Sequence, residues 1–446
     1  MRRLTHYDYW KDKLEPSLLL SSGADMLIYG MAEQPLREVL RLLKKGVPFS
    51  SLKTVSQTAI LSDLKNPLPL QHDWKDIFLH SYEKCLQDKK SFAENFVKFE
   101  KESNKIESAR LIEIAGDSRV IINPPFPPAS EKEADRTYDL PYKYLPHPRY
   151  NKKGAIPAYE MIKFSVNIHR GCFGGCSFCA IAAHQGKQII SRSERSITDE
   201  VRKIAELPDF KGYLTDLGGP SANMYRMKGR DMNICKVCSK PSCIWPSVCK
   251  NLYINHKELT TLYRKVDSVE GIKRSFIGSG VRYDLLLREW NSNAGRDEDE
   301  YLEELIKNHV SGRLKVAPEH TTDSVLKLMR KPSFGLFKKL NLKFNSIIKK
   351  YGLNYYIVPY FISAHPGCRD IDMKALAAEI SHMGIKPEQV QDFTPTPMTL
   401  STVVFYTGEN PYSGNKLYVA RSIRDKRRQK EFFFWNKKNS HINRKP

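Results

Sequence analysis

The sequence has no apolar run approaching the roughly 18 residues of a spanning helix, which excludes an ordinary helical membrane protein. Its first residues, MRRLTHYDYWKDKLEPSLLL, lack the uninterrupted apolar segment and small-residue cleavage site of a secretion signal, so a cytoplasmic protein with no membrane partner is expected. No repeat of fixed short period runs through it, which excludes solenoids and propellers. Acidic residues are short in supply, 50 against 72 Lys and Arg, leaving a formal charge of +22. That excess suits an anionic partner such as RNA, because phosphate neutralisation dominates nucleic-acid affinity. Much of it is local, however: from Arg421 onward ten basic residues face only Asp425 and Glu431. A soluble basic surface explains the charge equally well.

What is present is ordinary globular composition, with 41% hydrophobic and 11% aromatic residues, so the chain buries a core. At 446 residues it exceeds the size at which one core keeps growing, and two domains or a large barrel with additions are expected. Residues 24–46 read as a strand at Met26–Tyr29, a glycine turn, and an amphipathic helix with apolar Leu36, Val39, Leu40, Leu42 and Leu43, one β–α unit of an α/β domain over 1–100. INPPFPP (122–128) and LPYKYLPHPRY (140–150) give residues 101–155 the look of an extended linker. Beyond it, IKFSVNIH (162–169), YLTDLGG (213–219), KRSFIGSG (273–280), GRLKVAPE (312–319) and YYIVPYFI (355–362) read as strands alternating with helices. This pattern predicts a full or partial parallel (β/α) barrel over 156–410, followed by a basic, partly disordered tail over 411–446.

Nine cysteines are present, and seven lie between 172 and 249, a clustering that reads as metal or cluster ligation before disulfides. HRGCFGGCSFC (169–179) places Cys172, Cys176 and Cys179 at C-x3-C-x2-C immediately after a strand, where active-site loops of a parallel barrel emerge. Thiolates ligate iron–sulfur irons, and three clustered ones leave one iron of a [4Fe–4S] cubane free for another ligand. A zinc knuckle completed by His169 or His184 is the competing reading. Gly171, Gly174 and Gly175 let the backbone wrap closely. Cys235, Cys238, Cys243 and Cys249 follow at C-x2-C-x4-C-x5-C, a complete four-thiolate set within an insertion at 235–249. Zinc and an auxiliary Fe–S cluster both suit it, the irregular spacing favouring a structural knuckle. Cys85 and Cys368 are left over, and Cys368 reads as a packed free thiol.

The three-cysteine spacing resembles the signature of the radical S-adenosylmethionine (SAM) superfamily. The run HRGCFGGCSFCAIAAHQGKQIISRSERSI (169–197), with DLGGPSANMY (216–225), SGVRYDLL (279–286), KVAPEH (315–320), HPG (365–367) and QVQDFTPTP (389–397), resembles the YgiQ family of radical SAM proteins. The resemblance implies a cluster on Cys172, Cys176 and Cys179 whose free iron binds S-adenosyl-L-methionine and cleaves it reductively to a 5′-deoxyadenosyl radical. A reducing partner such as flavodoxin or ferredoxin, and an unknown substrate, follow from it. By position Phe178 packs by the adenine, Gly218 and Gly219 meet the cofactor's amino group, and Glu319 stands at the barrel mouth. Pro220 stands where many members have glutamate, so no side-chain contact is carried over there. Ser279 and Arg282 are candidate cofactor contacts, with an Arg282–Asp284 pair locking the barrel rim as the alternative. No residue is assigned to catalysis; His169, His320 and His365 are plausible mouth residues and as often structural. The family's amino-terminal, cobalamin-domain-like region begins upstream of HYDYW (6–10), so the resemblance implies an incomplete α/β domain at the start. The competing function is a non-catalytic iron–sulfur or zinc protein associated with RNA.

Overall fold

The amino-terminal part of the chain is built around a five-stranded sheet in the order Met26–Ile28, Thr58–Asp63, Ser118–Ile122, Arg110–Ala115, Asp76–Phe78, seen in a computed structural model that describes residues 2–70, 73–150, 152–287, 294–385, 387–388 and 390–442. All neighbours run antiparallel except the last pair. Two of these strands come from residues read as linker. They form a hairpin because Gly116, at φ +59°, supplies the left-handed backbone that a two-residue turn requires. Ile112, Val120 and Ile121 are wholly buried by it, each contributing roughly 1.5–3 kcal/mol. The expected α/β region is thus built on a mostly antiparallel sheet. In the helix Glu33–Lys44 only a narrow stripe, Pro35 and Val39, is buried, against Leu52 and Val55; Leu36, Leu40 and Leu43 stay exposed.

The proline-rich remainder of the expected linker is also anchored. Ser130 and Glu133 form a capping box that starts the helix Glu131–Tyr138. The Asp135 carboxylate of that helix accepts a hydrogen bond from Ser193 N at 2.9 Å, and Tyr138 Oη donates to Asn167 at 3.0 Å.

The expected strands of the second half occur as three parallel groups: Ser165–Asn167 with Asp216–Gly218, Tyr213–Leu214 with Arg274–Ser275, and Arg313–Glu319 with Tyr356–Ser363 and Val390–Asp392. Backbone bonds such as Leu217 N to Phe276 O continue between the first two, but among the described residues the groups are not joined into one closed sheet, so the architecture is mixed α/β with several sheets. One core unites them, from Val166, Ile168, Leu214 and Leu217 to Val316 and Phe361, covered by the helices Glu194–Ala205, Lys257–Asp267 and Phe334–Lys350. The expected tail instead contains the helix Ile423–Ile442. Its Gln429, fully buried, accepts from Ala364 N at 2.8 Å and donates to Cys368 O at 3.0 Å, fastening the helix to the 363–368 loop. Gln389 of the QVQDFTPTP run and residues 443–446 lie outside the described residues. Among the described residues no helix is long and apolar enough to cross a membrane.

Candidate cluster site and its surroundings

The loop bearing Cys172, Cys176 and Cys179 leaves the short strand His169–Arg170 and returns through Ile190–Ser191, which pairs with it antiparallel. Its curvature depends on glycine at two points. Gly171 has φ +87°, and a Cβ there would stand 2.0 Å from Gln188 O; Gly175 has φ +62°, and its Cβ would stand 2.2 Å from Pro241 O. No other residue fits. The three thiols are half-buried. Burial pushes Cys172 up, Arg282 opposing it, and burial with the neighbouring Cys176 pushes Cys179 up to about 12.

Polar groups nevertheless point at the sulfurs. Gly174 N–H faces Cys172 Sγ at 3.4 Å, and Arg282 Nη1 donates to Cys176 Sγ at 3.2 Å. The same guanidinium holds Asp284 through two bonds, 2.9 and 2.5 Å. Burial alone would raise the Asp284 carboxyl, but the Arg282 charge and hydrogen bonds outweigh it and hold it below the ordinary range. The Arg282–Asp284 pair weighed as the alternative is present, and the same guanidinium also meets a cysteine sulfur. Glu319 ends its strand at a register shift with φ +67°, is buried, and lies 3.6 Å from Lys331 Nζ. Burial raises its carboxyl, with Lys331 opposing. Lys331, itself only 5% exposed, was not singled out from sequence; an isolated lysine in LMRKP carries no signal of burial.

Gly218, Gly219 and Ser279 lie together at the ends of neighbouring strands. Ser279 Oγ donates to Asp216 at 2.5 Å, and a Cβ on Gly218 would stand 2.7 Å from that hydroxyl. Gly219 lies against the His169 ring, 2.6 Å from where its Cβ would be. Burial holds His169 down to about 4, so the imidazole is neutral at physiological pH. Phe178 is half-buried, its ring edge-on to His365 at 6.2 Å. The neighbouring Ser177 bonds Ser401 Oγ at 2.8 Å, which also meets His365 Nε2 at 2.7 Å. Ser401, which no motif marks, thus ties the loop to the helix Leu400–Thr407. His320 and Cys368 are buried together, Sγ to Nε2 3.5 Å; burial pushes the thiol far up and the imidazole down to about 3.

The four-cysteine insertion packs directly on this loop. Cys243 N donates to Phe173 O at 3.0 Å, and Ser242 Oγ donates to Gly174 O at 2.8 Å. Cys172, Cys243 and Cys249 share a small apolar cluster with Phe173, Met224 and Leu252. Asn251 Nδ2 donates to Cys235 Sγ at 3.3 Å. The buried Lys187 ammonium reaches Cys238 Sγ at 3.7 Å, and its other acceptors are the carbonyls of Cys238 and Lys240. Among the described residues no three His, Cys, Asp or Glu side chains converge on a single ion. A cubane places its thiolates on separate irons rather than around one centre, and the donor set of the first loop suits it: three thiols with backbone N–H and guanidinium donors aimed at sulfur. The second set likewise offers four thiols with a cation and an amide directed at them.

Comparison with known proteins agrees with the motifs. Residues 1–165 match the family model described as radical SAM N-terminal, and residues 388–442 match a domain of unknown function, DUF3362. A UPF0313 protein of Porphyromonas gingivalis is 54% identical over 440 residues, covering 98% of this chain and 69% of that protein. The chain belongs to the UPF0313 family, which is YgiQ-like. Other UPF0313 relatives are 53% identical in Bacteroides thetaiotaomicron, over 98% of this chain and 72% of the relative, and 42% identical in Methanocella arvoryzae, over 96% and 69%. Residues 1–165 of this UPF0313 chain thus resemble the radical SAM N-terminal domain, and the cysteine loop at 169–179 follows directly. Among solved structures, the radical S-adenosylmethionine methyltransferase TsrM from Kitasatospora setae, with cobalamin and a [4Fe-4S] cluster bound, aligns at TM-score 0.44 and 10% identity over 87% of this chain and 55% of that one. HydG, a maturase of the [FeFe]-hydrogenase, aligns at TM-score 0.29 and 10% identity over 79% of this chain and 62% of that one.

Proposed function

We propose that this protein is a radical SAM enzyme, with Cys172, Cys176 and Cys179 holding a [4Fe–4S] cluster and S-adenosyl-L-methionine bound beside it. When bound, the pair supplies reductive cleavage to 5′-deoxyadenosine by way of its radical, the electron coming from a flavodoxin- or ferredoxin-type donor. The observation that supports this most is the Arg282 guanidinium on Cys176 Sγ, within a C-x3-C-x2-C loop set at the end of a parallel strand. Arg282 places positive charge where an anionic thiolate set would need it, and Asp284 keeps that side chain oriented. Gly218 and Gly219 let their strand end pack closely on Ser279 and His169, Ser279 presents a hydroxyl fixed by Asp216, and Phe178 offers a ring face. Glu319, paired with Lys331, closes the network toward Cys179. The four-cysteine insertion braces the first loop from Pro241 to Cys243, and its four thiols, which do not converge on a single ion among the described residues, would suit a further cluster better than zinc.

The test is anaerobic reconstitution with iron and sulfide, reduction with S-adenosyl-L-methionine present, and assay for 5′-deoxyadenosine. Product formation that disappears in Cys176→Ala is expected. No product from a fully loaded cluster, or product retained by the variant, would overturn the assignment.

A further inference from the structure

A cavity of about 550 Å³ lies between the amino-terminal sheet and the stretch that follows Cys179, and none of Phe178, Gly218, Gly219, Ser279, Arg282 or Glu319 lines it. Its size falls within the range of small-molecule sites. One wall is Pro124–Pro128 with Phe126 at its centre; the opposite wall is Ala182 to Gln188. At one end Gly30 approaches the second wall, a Cβ there standing 3.2 Å from His184 O. The proline run keeps its shape without side-chain support, and Gln57 fixes its entry by accepting from Phe126 N at 3.4 Å and donating to Tyr29 O at 2.8 Å. This pocket is pre-formed.

Arg3 gives it chemistry. Its side chain lines the cavity and is only 5% exposed, stacked on Tyr29 at 4.2 Å and Phe99 at 4.9 Å. Among the described residues no carboxylate meets the guanidinium, and its Nε is buried without a hydrogen-bond partner. A buried arginine ordinarily has an anion to offset its desolvation, and the other buried arginines among the described residues have one: Arg110 has Asp76, Arg192 has Glu200 and Arg330 has Glu100. We infer that the cavity binds a small amphipathic organic anion, its carboxylate, sulfonate or phosphate on Arg3 and its apolar body against Phe126 and the prolines. Arg37 and Arg136 add positive charge to the lining, and its carboxylates are already engaged, Glu33 by Arg170, Glu102 by Lys105 and Glu133 by Ser130, which favours an anion over a cation. The site is separate from the one proposed for S-adenosyl-L-methionine and does not depend on it.

The experiment uses 8-anilinonaphthalene-1-sulfonate, an apolar ring system with one sulfonate, titrated into the full chain and read by fluorescence. Saturable one-to-one binding is expected, weakened at least tenfold by Arg3→Met and by Ala129→Trp, which fills the cavity from a loop outside any helix or strand, and not displaced by excess S-adenosyl-L-methionine. Circular dichroism melting checks that each variant is folded; if Arg3→Met is not, Ala129→Trp decides. Absence of saturable binding, full binding by a folded Ala129→Trp, or displacement by S-adenosyl-L-methionine would each overturn the inference.

Discussion

Replacing Arg282 by methionine removes the one cation that faces both Cys176 and Asp284, and its cost follows from how deeply that pair is set. The two side chains are 11% and 9% exposed, and the bonds between them are bidentate. Breaking such a pair leaves an uncompensated buried carboxylate, which costs about 3–5 kcal/mol. The sign of the pH dependence discriminates the cause. In the native protein the Asp284 carboxyl is depressed, so its contribution is fully present above the unfolded value of ~3.9 and is lost only as pH falls through the depressed one. In Arg282→Met the burial that Arg282 had outweighed is left to act, and the carboxyl moves above its unfolded value. Stability of that variant then rises as pH falls through the weakly acidic range, opposite to the native trend.

The assay is urea denaturation of apoprotein followed by circular dichroism at pH 7.5 and pH 5.5, with Asp284→Asn and the double variant completing a cycle. Arg282→Met is expected to lose about 3–5 kcal/mol at pH 7.5 and to recover part of it at pH 5.5, and the double variant is expected to be more stable than Arg282→Met. Equal instability of the double and single variants, or no recovery with acid, would refute the claim that the guanidinium stabilises by neutralising Asp284.

Two further outcomes follow from the geometry. Gly175→Ala forces a Cβ into Pro241 O at a left-handed backbone position and is expected to lower iron bound per chain several-fold after reconstitution; Gly280→Ala, where a Cβ meets nothing within 4 Å, is the matched control, and equal loading of both variants would sink the idea that the insertion shapes the loop. Glu113, 1% exposed, is held up to about 7 by burial against hydrogen bonds from Thr5, so folding disfavours its charged form and stability falls as pH rises from about 4.5 to about 7. Glu113→Gln should therefore match the native protein near pH 4 and exceed it by up to about 3 kcal/mol at pH 8, read from urea midpoints at the two pH values.

The strands of the second half were legible because period and turn residues are local properties: Ser165–Asn167, Asp216–Gly218 and Arg313–Glu319 fall inside the segments read as strands, and Tyr356–Ser363 overruns its segment by one residue. The hairpin Arg110–Ala115 and Ser118–Ile122 was missed because the prolines just beyond it dominated the reading of 101–155 as linker, although ARLIEIAGDSRVII itself carries strand-forming residues around a Gly-Asp turn. The basic tail misled for a different reason. Its charge suggested disorder, yet one buried polar residue, Gln429, makes two hydrogen bonds that fasten the helix down. Among the site residues, the cysteines announce themselves by spacing, while Lys331, Lys187 and Ser401 do not, since what sets them apart is the partner that the fold brings and not their neighbours in sequence.

That distinction explains how a flexible three-cysteine loop is held. Its own residues supply only the glycines that permit the path; the path itself is chosen from outside. Gln188 O crowds Gly171, and the insertion takes the carbonyls of Phe173 and Gly174 through Cys243 N and Ser242 Oγ. Met329 O accepts from Ser177 N, and Ser401 takes both its hydroxyl and its carbonyl. Arg282 then reaches Cys176 from a fourth segment. Each tie is a modest hydrogen bond, worth about 1 kcal/mol, but they arrive from segments up to 224 residues away in sequence, so the loop's path rests on the fold of the second half. The thiols are therefore positioned by long-range contacts, and the apolar cluster shared by Cys172, Cys243 and Cys249 packs the two cysteine groups against each other.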